Sequence, residues 1–262
     1  MIWHAGGFRI DLSQPRVMGI VNVTPDSFSD GGSYAAARDA ISHALRLEQD
    51  GADIVDIGGQ STRPGHTPIG ADEEWTRIEP VLAGLRGRIK IPISVDTYYP
   101  TVAARAIECG ASIINDVSGL ASAEMRRICA DSGVGCVIMH SEDVTSCEDV
   151  FAELRRFFSR RVERCIADGI DERCICLDPG IGFGKTRAQE VEILHHMEQC
   201  RVRSLPLLAA ASRKRVIEYV MNGCCGGGRS IPPEERDEAT FEMHRKALRS
   251  GAQIIRQHVI NK

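Results

Sequence analysis

Ile91-Pro92-Ile93-Ser94-Val95 is a short, mostly apolar run, and the residue that follows it, Asp96, is charged. A strand buried among its neighbours has no need of a carboxylate at its end, so the pairing points to a strand that opens onto a site. The signature recurs along the chain. Similar runs cover residues 17–23, 54–58, 113–117, 135–139, 174–177, 205–211 and 253–259, which makes eight in all. At or just past their ends stand Asn22, Ser61-Thr62-Arg63, Asn115, His140, Asp178, Ser212-Arg213-Lys214, and Arg256 with His258. Strand-like runs alternating with helical stretches mark a βα repeat, and eight of them predict a single (β/α)8 TIM barrel of the α/β class. In such barrels active sites gather on the C-terminal rim of the strands.

The bulk numbers agree. A length of 262 residues matches the roughly 250 expected of one barrel, so residues 1–262 are expected to form one domain. A net charge of −4 argues against a general binder of nucleic acid or anionic membrane, so any anion must be held by locally focused Arg and Lys. No stretch approaches the roughly 18 apolar residues of a membrane span, and Met1-Ile2-Trp3-His4-Ala5 lacks the features of a signal peptide. A cytoplasmic location is the expectation. The ten cysteines include no Cys-x-x-Cys pair, and they read as reduced structural thiols.

Along the chain, residues 3–11 hold Gly6-Gly7 between two extended pieces, which predicts a hairpin plugging the closed end of the barrel. Helices are expected over about 35–49, from Asp72 as N-cap, from Pro100, over 124–130, over about 147–167, and over 241–248. Two glycine-rich loops, 24–32 and 59–65, are expected to be mobile and to close over a ligand, with Asp30 and Arg63 pairing on closure. Residues 223–233 are expected to be unstructured. The chain stops at Lys262, too soon after the last run for an eighth helix. That leaves an apolar strip between the first and seventh helices, and a strip of that kind predicts a homodimer.

Asp96 and Asp178 would point into one mouth, where two carboxylates repel unless they meet a metal or a ligand rich in N–H donors. With Lys214 to neutralise one of them and Asn115 offering donor and acceptor, the set suits a flat heterocycle with an amidine-like edge. Arg63, Arg213, Arg256 and His258 supply cations near the loops after strands 7 and 8, where these barrels often hold phosphate. Ser212 can offer its hydroxyl to the same anion. Residues 180–186 end Gly-Lys-Thr after a strand, but Pro179 stands where a nucleoside-triphosphate loop needs its first glycine. His140 is expected to be a rim or core hydrogen-bonder without a catalytic role.

These residues lie in long motifs: Met18-Gly19-Ile20-Val21-Asn22-Val23-Thr24-Pro25-Asp26-Ser27-Phe28-Ser29-Asp30-Gly31-Gly32, Ser61-Thr62-Arg63-Pro64-Gly65, Ser94-Val95-Asp96-Thr97, Ile114-Asn115-Asp116, Asp178-Pro179-Gly180-Ile181-Gly182-Phe183-Gly184-Lys185 and Ser212-Arg213-Lys214. In them the chain resembles the dihydropteroate synthases, pterin-binding enzymes of folate biosynthesis, over about residues 15–259. The resemblance implies condensation of 6-hydroxymethyl-7,8-dihydropterin pyrophosphate with p-aminobenzoate. It implies that Asp96, Asn115, Asp178 and Lys214 hold the pterin, with Arg256 stacked over it. Asn22 would ligate a Mg²⁺ that, with Arg63, Arg256 and His258, holds the pyrophosphate. Thr62, Pro64, Phe28 and Ser212 would border the p-aminobenzoate site, Phe183 joins the substrate-binding residues, and Asp30, Arg63, Lys214, Arg256 and His258 form the catalytic set.

The chain departs from that family at Gln60, usually Glu, at Val259, usually Asp, and at the absent eighth helix. Two other functions compete. A pterin-binding methyltransferase would need the pocket but no pyrophosphate clamp, which Arg63, Arg256 and His258 together provide. A non-catalytic pterin-binding paralogue would release no pyrophosphate.

Overall fold

The computed structural model describes residues 1–23, 32–60, 67–225 and 228–260. Two antiparallel strands, β1 (Ile2–Ala5) and β2 (Phe8–Asp11), form the N-terminal hairpin. Eight parallel strands follow: β3 (Arg16–Asn22), β4 (Ile54–Gly58), β5 (Ile93–Asp96), β6 (Ile113–Asp116), β7 (Gly135–Met139), β8 (Ile175–Asp178), β9 (Leu208–Ala209) and β10 (Ile254–Gln257). Their order, β8-β7-β6-β5-β4-β3-β10-β9, runs in sequence around a barrel. A single parallel bridge, Leu177 to Leu207, closes it between β8 and β9. β9 is far shorter than the apolar run over 205–211. Pro206 has no amide to give the ladder, and only its carbonyl takes part, accepting from Leu177 N at 2.9 Å.

Inside the barrel the strand period of two does the sorting. Met18, Ile54, Ile113, Val137, Cys176, Leu208 and Ile254 form a buried apolar layer with Trp3, Ala5, Ile10 and Leu12 of the hairpin. The hairpin thus plugs the closed end, as its sequence predicts. Trp3 is fully buried and its Nε1 donates to Cys174 O at 2.8 Å, so the ring fills the floor without stranding its N–H. Two residues further along the strands, on the same inner face, come Asp56, Asn115, Asp178 and Arg256. One periodicity makes both the plugged floor and the polar mouth.

Around the barrel lie α1 (Gly32–Gln49), α2 (Ala71–Leu85), α3 (Pro100–Glu108), α4 (Ala123–Ser132), α5 (Val150–Ala167), α6 (Arg187–His195), α7 (Arg215–Met221) and α8 (Asp237–Arg249). Their ends are set by local chemistry. Asp149 caps α5 by accepting from Ala152 N at 3.0 Å, which starts that helix at 150 instead of about 147. Thr186 and Gln189 form a reciprocal capping box on α6. Asp72 is not the cap of α2; Gly70 holds that position, and Asp72 sits in the first turn.

Both α7 and α8 fall between β9 and β10. Described residues of the segment joining them, expected to be unstructured, are tied in: Ile231 is buried, its N donates to Glu218 Oε1 at 3.0 Å, and Asn222 Nδ2 donates to Arg229 O at 3.0 Å. Among the described residues no helix follows β10. The outer faces of β3 and β10 are nonetheless covered, since Val17, Val21 and Ile255 are buried, while Phe241 and Leu248 on α8 are half-buried. Exposed apolar side chains in this region are Val259, just past β10, and Met221, on α7. All ten cysteines are free thiols, and only Cys224 and Cys225 are exposed.

Candidate active site

At the centre of the mouth the Arg256 guanidinium spans two strands' carboxylates. Its Nε lies 2.6 Å from Asp56 Oδ2 and its Nη2 3.0 Å from Asp96 Oδ2. Asn115 Nδ2 donates to the same Asp56 oxygen at 3.2 Å, which turns the amide oxygen of Asn115 away from Asp56. Two oxygens in this cluster, Asp56 Oδ1 and Asp96 Oδ1, are buried without a protein partner, as is Ser94 Oγ. Buried acceptors left open at the mouth of a barrel are places for a ligand's donors or for water.

Across the mouth, Asp178 is buried at the end of β8, and its Oδ1 accepts from Gly180 N at 2.7 Å. Lys214, at the N-cap of α7, donates to Ile181 O at 2.6 Å and stands 5.2 Å from the centre of the Phe183 ring. The loop after β8 therefore carries the carboxylate, the carbonyl that holds Lys214 and the ring beneath it. Ser212 Oγ lies 2.9 Å from His258 Nδ1 and accepts from His258 N at 3.2 Å, so strands β9 and β10 meet at their ends through these two residues. Asn22 is half-buried at the end of β3, and a Cβ built on neighbouring Gly58 would come within 4.0 Å of its Oδ1 and 3.6 Å of Asp96 Cβ.

Burial governs the titration of this site. It pushes the Asp178 carboxyl up, against the pull of Lys214 and the Gly180 amide. It pushes Asp96 up too, where Arg256 opposes the shift and Asp56 adds to it. The Lys214 ammonium is pulled down to about 8 by burial, with Asp178 acting the other way. Burial thus works against charge on Asp96, Asp178 and Lys214, while attraction between opposite charges works for it.

Of the residues singled out in the sequence, Asn22, Asp96, Asn115, Asp178, Phe183, Ser212, Lys214, Arg256 and His258 ring this mouth. Phe28, Asp30, Thr62, Arg63 and Pro64 lie outside the described residues. Arg213 does not serve the mouth: its backbone is left-handed (φ 59°), and its Nε and Nη2 each lie 2.7 Å from the Asp237 carboxylate at the start of α8. His140 is a buried hydrogen-bonder, as its sequence context predicts, with Nδ1 at 2.9 Å from Lys185 Nζ.

Asp56 was not among the residues the sequence brought forward. The signal was there, since a carboxylate in the middle of the apolar run 54–58 falls on the same face as the strand's inner residues. Lys185, the last residue of a family motif, carries no role in the sequence reading, because nothing local announces its buried contact with His140.

Comparison with known proteins decides the family. The sequence profile of the family described as pterin binding enzyme matches residues 18–258. The chain belongs to the pterin binding enzymes. It is 40% identical over 243 residues to the dihydropteroate synthase of Bacillus subtilis (strain 168), covering 92% of this chain and 82% of that protein. It is 38% identical over 261 residues to the dihydropteroate synthase of Escherichia coli (strain K12), covering 97% and 90%. A solved structure of Xanthomonas albilineans dihydropteroate synthase with 4-aminobenzoic acid superposes with a TM-score of 0.91 at 41% identity, covering 98% of this chain and 92% of that one. The same enzyme with 7,8-dihydropteroate gives a TM-score of 0.88 at 39% identity, covering 98% and 93%.

At residue 60, where the family resemblance implies Glu, the chain carries Gln. Its Nε2 donates to the buried carboxylate of Glu74. Burial pushes Glu74 up, and the amide of Gln60 helps offset it. A second carboxylate at 60 would face Glu74 directly, so the amide removes a like-charge contact.

Proposed function

We infer that this mouth performs the dihydropteroate synthase reaction, joining 6-hydroxymethyl-7,8-dihydropterin pyrophosphate to p-aminobenzoate with release of pyrophosphate. The observation that carries the reading is the convergence of Asp96, Asn115, Asp178, Lys214 and Arg256 on one barrel mouth, in a chain about 40% identical to enzymes of that name. In the reaction the methylene C–O bond breaks and its electron pair leaves with pyrophosphate. The aromatic amine nitrogen forms the new C–N bond and loses a proton. No covalent enzyme intermediate is needed, so the protein contributes position and electrostatics.

Residue roles follow from chemistry. Asp178 and the open oxygen of Asp96 accept N–H groups of the pterin edge. Asn115 offers its free amide oxygen and Lys214 an ammonium donor, while Arg256 lies over the ring. The electron-rich pterin stabilises cationic character on the methylene as the C–O bond lengthens. His258 and Arg256 face the pyrophosphate, with Arg63 and Asp30 as further candidates, and Ser212, Phe183, Phe28, Thr62 and Pro64 border the amine substrate.

A Mg²⁺ fits the donor set at Asn22. Among the described residues no group of three His, Cys, Asp or Glu is placed to hold a metal. A hard cation there would take one neutral oxygen from Asn22 and draw the rest from the pyrophosphate and water. When bound it would neutralise charge on the leaving pyrophosphate.

Among the described residues no helix is long and apolar enough to cross a membrane. A cytoplasmic enzyme acting as a homodimer completes the proposal, with half-buried Phe241 and Leu248 of α8 as the apolar groups for the contact.

The deciding experiment is pyrophosphate release on adding both substrates with Mg²⁺. Release that depends on p-aminobenzoate is the expected result. Pterin binding with no release would replace the synthase by a methyltransferase-like or non-catalytic pterin binder.

A further inference from the structure

Residues 180–186 carry a lysine, Lys185, that a nucleotide loop would aim at phosphate, yet here it points inward. Lys185 is buried, and its Nζ contacts His140 Nδ1 at 2.9 Å, Phe183 O at 3.0 Å, His140 O at 3.3 Å and Gly180 O at 3.3 Å. An ammonium only donates, so His140 Nδ1 must accept and the imidazole proton sits on Nε2. The loop from Asp178 to Lys185 is thus wrapped around one cation. Two glycines make the wrapping possible. Gly180 (φ 73°) passes so close to the next strand's end that a Cβ would lie 1.9 Å from His140 O, and at Gly184 (φ 52°) a Cβ would lie 2.2 Å from Glu142 O.

What the loop presents on its other side is the pterin half of the mouth: Asp178, anchored by Gly180 N, the Ile181 carbonyl that holds Lys214, and the Phe183 ring. Each of these is fixed through a backbone unit that Lys185 binds or that lies between two it binds. A buried ammonium is costly unless its three N–H groups are paired, and here His140 and the loop itself supply four acceptors for those of Lys185. Burial pulls its ammonium down to about 8, with Asp178 and Glu190 pulling it up.

We propose that Lys185, together with His140, is a positioning residue for the pterin: it touches no ligand but holds the loop after β8 in the shape that aims Asp178, Phe183 and the Lys214 acceptor into the mouth. The proposal rests on the synthase reading of that mouth.

Three variants test it against wild type, each confirmed folded by circular dichroism, using 6-hydroxymethylpterin for calorimetry and both substrates for turnover. Lys185→Met should raise the pterin dissociation constant, and KM for the pterin substrate, at least twentyfold while kcat falls less than fivefold. His140→Ala, which removes one acceptor and spares the lysine, should raise both by about fivefold. His140→Asn places an acceptor oxygen at the same branch and should restore values to within twofold of wild type. If Lys185→Met does not fold, the His140 pair decides alone. Wild-type-like pterin affinity in His140→Ala, or no rescue by His140→Asn, overturns the proposal. A wild-type protein that neither binds 6-hydroxymethylpterin nor releases pyrophosphate overturns the synthase reading instead.

Discussion

Arg256 Nε, on β10, lies 2.6 Å from Asp56 Oδ2, on β4, with β3 running between the two strands. Both residues lie within their strands, so the pair fixes the guanidinium plane from the barrel wall. Removing one partner of a buried pair leaves an uncompensated charge, which costs about 3–5 kcal/mol in comparable cases. Here Asp96 still holds the other side of Arg256. Asp56→Ala is therefore expected to lower unfolding free energy by about 3 kcal/mol in urea, at the low end of that range. Asp56→Asn keeps an acceptor for Arg256 and should cost less. Equal losses in the two variants would mean that the carboxylate charge is irrelevant to the pair.

The barrel and the outline of its mouth were legible because a strand's period of two writes itself into sequence. Ile113 and Asn115, or Cys176 and Asp178, alternate apolar floor and polar rim on one face. Asp56 shows the limit. It lies inside its apolar run and not at the end, so a search along strand ends passes over it, although the same alternation places it inward. Partner choice was less legible still. Arg213 and Arg256 look alike in sequence, but the left-handed backbone at 213 turns one guanidinium outward to Asp237, and the strand turns the other inward. The shortness of β9 followed from Pro206, a local fact, whereas the tethering of Ile231 to Glu218 is a long-range contact that no local pattern announces.

Asp178→Asn should cripple pterin recognition. The substitution exchanges a carboxylate that accepts N–H groups for an amide that turns an N–H toward the ligand's own donors. Loss of a charge-assisted pair plus a donor clash should cost about 2–5 kcal/mol, or roughly 30-fold to several thousandfold in affinity. Calorimetry with 6-hydroxymethylpterin measures it. Affinity within threefold of wild type would remove Asp178 from the pterin site.

Mg²⁺ should be required for turnover but not for binding a pterin without pyrophosphate. Asn22 offers a single neutral oxygen, too little to hold a hard cation without the ligand's phosphates. Titration of the free protein with Mg²⁺ should show only weak binding, and chelator should abolish pyrophosphate release while leaving 6-hydroxymethylpterin affinity intact. Undiminished release in excess chelator would exclude the metal role.

A homodimer is expected at micromolar concentration, with Phe241 and Leu248 of α8 at or beside its interface. Light scattering reads the mass directly. Phe241→Glu should convert the dimer to monomer if α8 forms the contact; a wild-type monomer would rule out the assembly.

Catalysis should fail on the alkaline side near pH 8, through lysines and not through unfolding. Burial pulls both Lys214 and Lys185 down to about 8 from an ordinary value of 10.5. Each is charged below that pH and neutral above it, so a mouth that needs the Lys214 cation loses it as pH rises through 8. Stability runs the other way. Between about 8 and 10.5 the unfolded chain holds protons on these lysines that the folded chain has released, and wherever the unfolded state binds more protons stability increases with pH. A fall in kcat/KM for the pterin substrate above pH 8, in protein whose melting temperature has not yet dropped, is the expected signature. If both ammonium groups are needed, the limb should steepen toward a hundredfold per pH unit, and Lys214→Arg, which stays charged, should return it to about tenfold. A profile flat to pH 9.5 would show that neither lysine works as a cation in the reaction.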